Sequence, residues 1–192
     1  MKLIGFYDYT VILTYTSILS AVIGMIQASR GNFGGAVLCL ALSGLCDAFD
    51  GTVARTKKNR TEDEKNFGIQ LDSLCDVVSF GVFPAFLCYC MGVSGPLGLV
   101  CVCLYSLCAV IRLAFFNVLE MKRQQVEEGA NKYYRGLPVT SISIIFPVVY
   151  LLRGLFSPAV FTWILHGMLL TVAFLFVLDF KMKKICLCKT KA

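Results

Sequence analysis

Charge is scarce in this sequence. Of its 192 residues only 16% are Asp, Glu, Lys or Arg, while 57% are hydrophobic. A soluble domain usually carries about 25% charged residues, so much of this surface faces lipid rather than water. Histidine is nearly missing, with His166 alone. That rules out sites built from clustered imidazoles, and a lone histidine in an apolar run is expected to be a packed or interfacial side chain. Internal repeats and low-complexity tracts are also lacking, and 192 residues fit one domain, 1–192. The first apolar stretch is long and has no clear small-residue cleavage site, so no cleavable signal peptide is expected.

Cysteine, by contrast, is plentiful at ten residues. Cys39, Cys46, Cys75, Cys88, Cys90, Cys101, Cys103 and Cys108 lie in apolar runs, where cysteine behaves as a small hydrophobe rather than as part of a disulfide scaffold. Cys186 and Cys188 stand apart in a basic tail, where metal binding or acylation is conceivable without nearby ligands to support it.

A membrane-crossing helix needs about 20 mostly apolar residues. Six segments qualify, near Tyr9 to Ala28, Gly34 to Ala54, Gly68 to Met91, Gly95 to Leu119, Gly136 to Leu152 and Pro158 to Phe180. The expected fold is therefore an all-α membrane protein with six transmembrane helices. Basic residues decide its orientation. Lys2, Arg55, Lys57, Lys58, Arg60, Lys65, Lys122, Arg123, Lys132, Arg135 and five lysines from Lys181 onward all fall on one side. Only Arg30 and Arg153 fall on the other, and Arg112 lies within a segment. The positive-inside rule then places both termini in the cytoplasm. The net charge of +6 is explained by basic loops facing anionic lipid, without nucleic acid. Asn59-Arg60-Thr61 matches a glycosylation acceptor but falls on the wrong side for that use.

The few charges inside the apolar segments carry the chemistry. The second segment ends in DAFDGTVAR (Asp47 to Arg55), and the third opens with GIQLDSLCD (Gly68 to Asp76). Asp47 and Asp50, three apart, share one helix face, as do Asp72 and Asp76, four apart. The two segments flank one loop, so both pairs lie at the same side of the bilayer and at matching depths. Helix caps or lysine partners do not account for four such costly residues. Crowded carboxylates in a low dielectric need compensation, and all-oxygen ligands favour Mg²⁺, Mn²⁺ or Ca²⁺ over zinc. Magnesium commonly bridges carboxylates to substrate phosphates. Gly51 and Gly68 remove side-chain bulk where a ligand must come close.

At these residues the chain resembles the CDP-alcohol phosphotransferase family. The family signature is an Asp, two residues, Asp-Gly, two residues, Ala-Arg, a variable gap, then Gly, three residues, Asp, three residues, Asp. Asp47, Asp50, Gly51, Ala54, Arg55, Gly68, Asp72 and Asp76 match every fixed position. The resemblance implies that Asp47, Asp50, Asp72 and Asp76 hold Mg²⁺ or Mn²⁺ and that Asp76 is also the general base. It implies that Asp47, Gly51, Ala54, Arg55 and Gly68 contact the nucleotide, and that the enzyme works as a homodimer. The run LDSLCDVVSFGVFPA (Leu71 to Ala85), RLAFFN (Arg112 to Asn117) and YRGLP (Tyr134 to Pro138) are similar to bacterial and archaeal phosphatidylserine synthases. This implies CDP-diacylglycerol and L-serine as substrates, CMP as leaving group, and Arg112, Asn117 and Arg135 as acceptor contacts. The first helix departs from the pattern. Such enzymes often carry an asparagine after a Thr-rich start, and this chain reads LTYTS (Leu13 to Ser17). Glycerol 3-phosphate or inositol 1-phosphate as acceptor stays open. A cation-coupled transporter is disfavoured, because the aspartates cluster near one face and paired broken helices at the midplane are missing.

Overall fold

The computed structural model describes residues 5–6, 9–54, 56–57, 61–125 and 133–183. The chain runs back and forth as α1 (Ile12–Ser29), α2 (Phe33–Ala54), α3 (Glu62–Asp76), a π-helical segment (Val77–Val82), α4 (Phe83–Cys90), α5 (Gly95–Gln125), α6 (Ile142–Leu151) and α7 (Pro158–Val177). Short three-ten turns flank α6, at Val139–Ser141 and Leu152–Leu155. Five helical stretches are long and apolar enough to cross a membrane: Ile12–Ser29, Phe33–Val53, Glu62–Cys90, Gly95–Leu119 and Pro158–Val177. The stretch Val139–Leu155 is apolar but shorter. The protein is thus an integral membrane protein of helical architecture. Among the described residues the only extended pairing is a small antiparallel ladder, β1 (Tyr133–Arg135) with β2 (Lys181–Lys183), in which Arg135 faces Lys181.

Two helices outrun the apolar segments of the sequence. α3 begins at Glu62 rather than Gly68, and α5 continues past Leu119 to Gln125. Hydropathy registers only the lipid-embedded part of a helix, whereas capping decides where it starts. Thr61 accepts from the Glu64 backbone N–H at 3.2 Å, and the Glu64 side chain accepts from the Thr61 N–H at 3.0 Å, a reciprocal capping box. Glu62, Asp63 and Glu64 add negative charge where the helix dipole favours it. The acceptor-like Thr61 is therefore a helix cap.

Lipid tails are as apolar as leucine, so helices in a bilayer associate through close packing and interhelical hydrogen bonds. α1 packs most extensively on α2. The seam is lined by small residues: Ser17, Ser20, Ala21, Gly24 and Ala28 of α1 are buried. The Ser17 and Ser43 hydroxyls lie 2.7 Å apart, and each also lies within hydrogen-bond reach of the other residue's carbonyl, so their two protons are shared among these acceptors. Ser20 donates to the Cys39 carbonyl at 2.9 Å. At Gly44, where α6 crosses α2, an added Cβ would overlap the Ser143 side chain.

Pro84 lies just beyond the π-helical segment, at the start of α4. Proline has no N–H, so the Phe80 carbonyl loses its ordinary partner four residues on. Tyr105 of α5, fully buried, donates its hydroxyl to that carbonyl at 2.7 Å, and Ser106 donates to the Gly81 carbonyl at 3.1 Å. The cluster of Phe80, Phe83, Tyr105, Phe146 and Phe176 forms the centre of the core. The eight described cysteines are free thiols, most of them buried, as a small hydrophobe would be. His166 is buried too, with Nδ1 2.8 Å from the Thr162 carbonyl and its ring tilted on Trp163.

Candidate active site

Asp47 and Asp50 stand on the last turns of α2, and Asp72 and Asp76 on the last turns of α3. One carboxylate oxygen from each of Asp47, Asp50 and Asp72 comes within 4.8 Å of the others. Asp76 is the most deeply placed, 8% exposed, with its side chain against that of Asp47. Asp50 and Asp72 meet in the same way. The spacing of three and four residues thus does what helix geometry demands, and the two pairs converge.

Three observations bear on whether this cluster fits a divalent cation. Among the described residues no lysine or arginine forms an ion pair with any of the four; the ion pairs described are Lys57–Glu64 at 3.2 Å and Lys65–Glu62 at 2.8 Å. Asp72 Oδ1 is buried without a hydrogen-bond partner. A Cβ added at Gly51, next in sequence to Asp50, would meet nothing within 4 Å, so the space beside that stretch of backbone is open. Mutual repulsion of uncompensated carboxylates is costly in a low dielectric. An all-oxygen site with room beside it suits a hard divalent cation.

Flanking contacts hold the ligand helices in place. Thr14 of α1, buried, donates to Asp50 Oδ2 at 3.4 Å. Tyr9 Oη lies 3.1 Å from Thr56 Oγ1, tying the entry of α1 to the exit of α2. Lys57 reaches Glu64 across the loop between the two halves of the motif. Of the expected nucleotide contacts, Gly51 lies in the last turn of α2, Ala54 closes that helix, and Gly68 lies in α3. Arg55 lies outside the described residues, as do Lys132, Cys186 and Cys188.

The sequence profile of CDP-alcohol phosphatidyltransferases matches residues 9–179, nearly the whole chain. The chain belongs to the CDP-alcohol phosphatidyltransferase family. Within that family it is similar to the CDP-diacylglycerol–serine O-phosphatidyltransferase of Saccharomyces cerevisiae, 36% identical over 115 residues that make up 58% of this chain and 40% of the yeast protein. It is 32% identical to the archaetidylserine synthase of Methanothermobacter thermautotrophicus over 164 residues, 81% of this chain and 63% of the relative. It is 32% identical to the CDP-diacylglycerol–serine O-phosphatidyltransferase of Mycobacterium tuberculosis over 152 residues, 78% of this chain and 51% of the relative. The chain therefore spans about 40% to 63% of the length of these relatives.

The residues outside the family signature divide by position. Asn117 of α5 accepts from Ser73 through Oδ1 at 2.6 Å, and Ser73 sits on α3 between Asp72 and Asp76. Asn117 is thereby brought to the aspartate cluster. Arg112, five residues earlier, faces another way: Nε donates to the Leu137 carbonyl at 3.1 Å and Nη2 to the Gly136 carbonyl at 3.3 Å. Asp179 provides the anion near it. Arg135 enters β1, and its side chain lies outside the described residues. Sequence reasoning missed Thr14 and Ser73. Thr14 is one of several hydroxyls in LTYTS, and only the helix register selects the one that meets Asp50. Ser73 was marked by its place between two aspartates of one helix.

Proposed function

We propose that this chain transfers the phosphatidyl group of CDP-diacylglycerol to the hydroxyl of L-serine, releasing CMP and forming phosphatidylserine. The observation that carries this reading is the convergence of the Asp47, Asp50 and Asp72 oxygens within 4.8 Å, beside Asp76, at the positions of the family signature. The serine assignment is supported by the similarity to relatives named as serine O-phosphatidyltransferases.

In this reading Asp47, Asp50, Asp72 and Asp76 hold Mg²⁺ or Mn²⁺. When bound, the metal would neutralise charge on the diphosphate and on the departing CMP. Asp47, Gly51, Ala54, Arg55 and Gly68 surround the nucleotide. Gly51 leaves room for it, and the Arg55 guanidinium matches a phosphate. Asp76 takes the proton of the serine hydroxyl, whose oxygen bonds to the lipid-side phosphorus as the bond from that phosphorus to the CMP oxygen breaks. Arg112, Asn117 and Arg135 form the acceptor side: Asn117 beside Ser73, and Arg112 behind the backbone next to Arg135.

The same reading includes one domain, 1–192, crossing the membrane six times with both termini and the site on the cytoplasmic side, and working as a homodimer. The short stretch Val139–Leu155 supports six crossings. Its seven three-ten residues rise about 2 Å each and its ten α residues about 1.5 Å, giving about 29 Å, close to the hydrocarbon thickness. Basic loops on the side of the aspartates support the orientation.

The test is CMP release by purified protein with CDP-diacylglycerol, Mg²⁺ and a panel of acceptors. Serine is expected to drive release well above glycerol 3-phosphate or inositol 1-phosphate. A preference for a phosphorylated acceptor would refute serine while leaving the reaction class standing. No CMP release with any acceptor would refute the reaction class.

A further inference from the structure

Arg112 is 7% exposed and lies inside a membrane segment, where a charged side chain is retained for a specific reason. Asp179 supplies a nearby negative charge, and the groups that Arg112 hydrogen-bonds are backbone. Pro138 keeps residue 137 out of the helical conformation, and the first turn of the next helical stretch closes only with the Ser141 N–H on the Pro138 carbonyl. The carbonyls of Gly136 and Leu137 precede that turn and have no helical partner. In apolar surroundings such groups have to be satisfied by something. Two nitrogens of one guanidinium do it, Nη2 for Gly136 and Nε for Leu137.

The same point gathers a third segment. The Gly136 N–H donates to the Phe180 carbonyl at 2.6 Å, extending the ladder in which Arg135 faces Lys181. Gly136 has φ +72°, and a Cβ there would stand 3.0 Å from the Leu178 carbonyl and 3.3 Å from Arg112 Nη1. Only glycine fits this junction of α5, the run into α6 and the run out of α7.

We propose that Arg112 is a positioning residue, a clasp that fixes the backbone of residues 133–137, and with it Arg135, at the end of the bundle where the aspartates lie. Acceptor affinity then depends on Arg112 through the backbone rather than through contact with the acceptor. The kinetic half of this proposal rests on the acceptor reading above; the structural half does not.

The experiment compares wild type, Arg112→Lys, Arg112→Ala and Gly136→Ala in detergent or nanodiscs, by hydrogen exchange and by kinetics. Lysine offers a point charge without the planar fork, so both arginine variants should lose the pair of hydrogen bonds to the two carbonyls. Backbone exchange in peptides covering 133–140 and 178–183 is expected to quicken by about ten-fold in all three variants, with 62–76 unchanged. The KM for serine should rise about ten-fold with the KM for CDP-diacylglycerol nearly constant. Gly136→Ala is decisive because it preserves every charge; a serine defect there supports the clasp. Unchanged exchange at 133–140 in Arg112→Lys, or a normal serine KM in Gly136→Ala beside a raised one in Arg112→Lys, overturns it and makes Arg112 a direct acceptor ligand. If wild type released no CMP with serine, the reaction reading would fall, and the exchange arm would still decide the clasp.

Discussion

Asp72 shows most sharply what the site requires of single residues. Its Oδ1 is buried with no partner, and its neighbours are other carboxylates. Replacing it with asparagine relieves charge repulsion while removing a ligand. Asp72→Asn is therefore expected to melt at a higher temperature than wild type in EDTA and to lose the stabilisation that Mg²⁺ gives wild type, as thermal unfolding in detergent would record. Asp76 and Asp50 should differ in kind. Asp76→Asn is expected to retain CDP-diacylglycerol binding and lose turnover, because a base acts at the chemical step. Asp50→Asn is expected to weaken metal and nucleotide together. Binding isotherms measured beside CMP release separate the two, and near-normal turnover in Asp76→Asn would contradict its role as base. The four aspartates were legible in the sequence because intramembrane charge is rare and their spacing is helical. Thr14 was not, since a hydroxyl in an apolar helix is unremarkable until the neighbouring helix is placed, and Ser73 carried only the hint of standing between two of the aspartates. Nor was the orientation of Arg112, which turns toward carbonyls that the sequence does not advertise.

Among the elements, α3 and the π-helical segment after it carry the deepest carboxylate. α3 is held at its start by the Thr61–Glu64 box, and the segment beyond Asp76 by the hydroxyls of Tyr105 and Ser106. Thr61→Ala is expected to cost about 1 kcal/mol, and Tyr105→Phe, which leaves a buried carbonyl short of a donor, about 1–3 kcal/mol. Denaturant or thermal unfolding of the purified protein would measure both. Close approach matters equally where α2 meets α6. Gly44→Ala should destabilise strongly by collision with Ser143, and Ser143→Gly in the same molecule should recover much of the loss. Helix existence was readable from hydropathy in every segment, but helix ends were not. The polar turns that open α3 and close α5 lie beyond the apolar stretch, and the three-ten turn that leads into α6 follows Pro138. The β1–β2 ladder was invisible, because three-residue strands joining distant positions leave no periodic trace.

On the scale of the whole molecule, charge is distributed so that the lipid-embedded body is apolar, and large side chains such as Leu38, Leu74, Ile144 and Trp163 remain exposed around it. Against that background the aspartate cluster is the main concentration of unbalanced charge in the body, and the cation is expected to couple folding to activity. EDTA should abolish CMP release, with Mg²⁺ or Mn²⁺ restoring it. A cation at about a hundred times its dissociation constant should add about 2.7 kcal/mol of stability, visible as a rise in melting temperature. Full turnover in metal-free protein would overturn the proposed chemistry.

The serine seam between α1 and α2 has a consequence for how far the site sits from the water. Ser17 and Ser43 bond to one another and Ser20 bonds to the Cys39 carbonyl, so neither helix can slide along the other without breaking hydrogen bonds that lipid cannot replace. Ser43 lies seven residues from Asp50, about 10 Å along the helix axis, and Ser17 lies three residues from Thr14. The seam acts as a depth gauge set well inside the bilayer. It fixes the level at which Thr14 meets Asp50, and so the height of the metal ligands relative to the headgroups where a diphosphate would lie. A single residue inserted between Thr14 and Ser17 would leave the seam intact and swing Thr14 about 100° around its helix, away from the carboxylate it now touches.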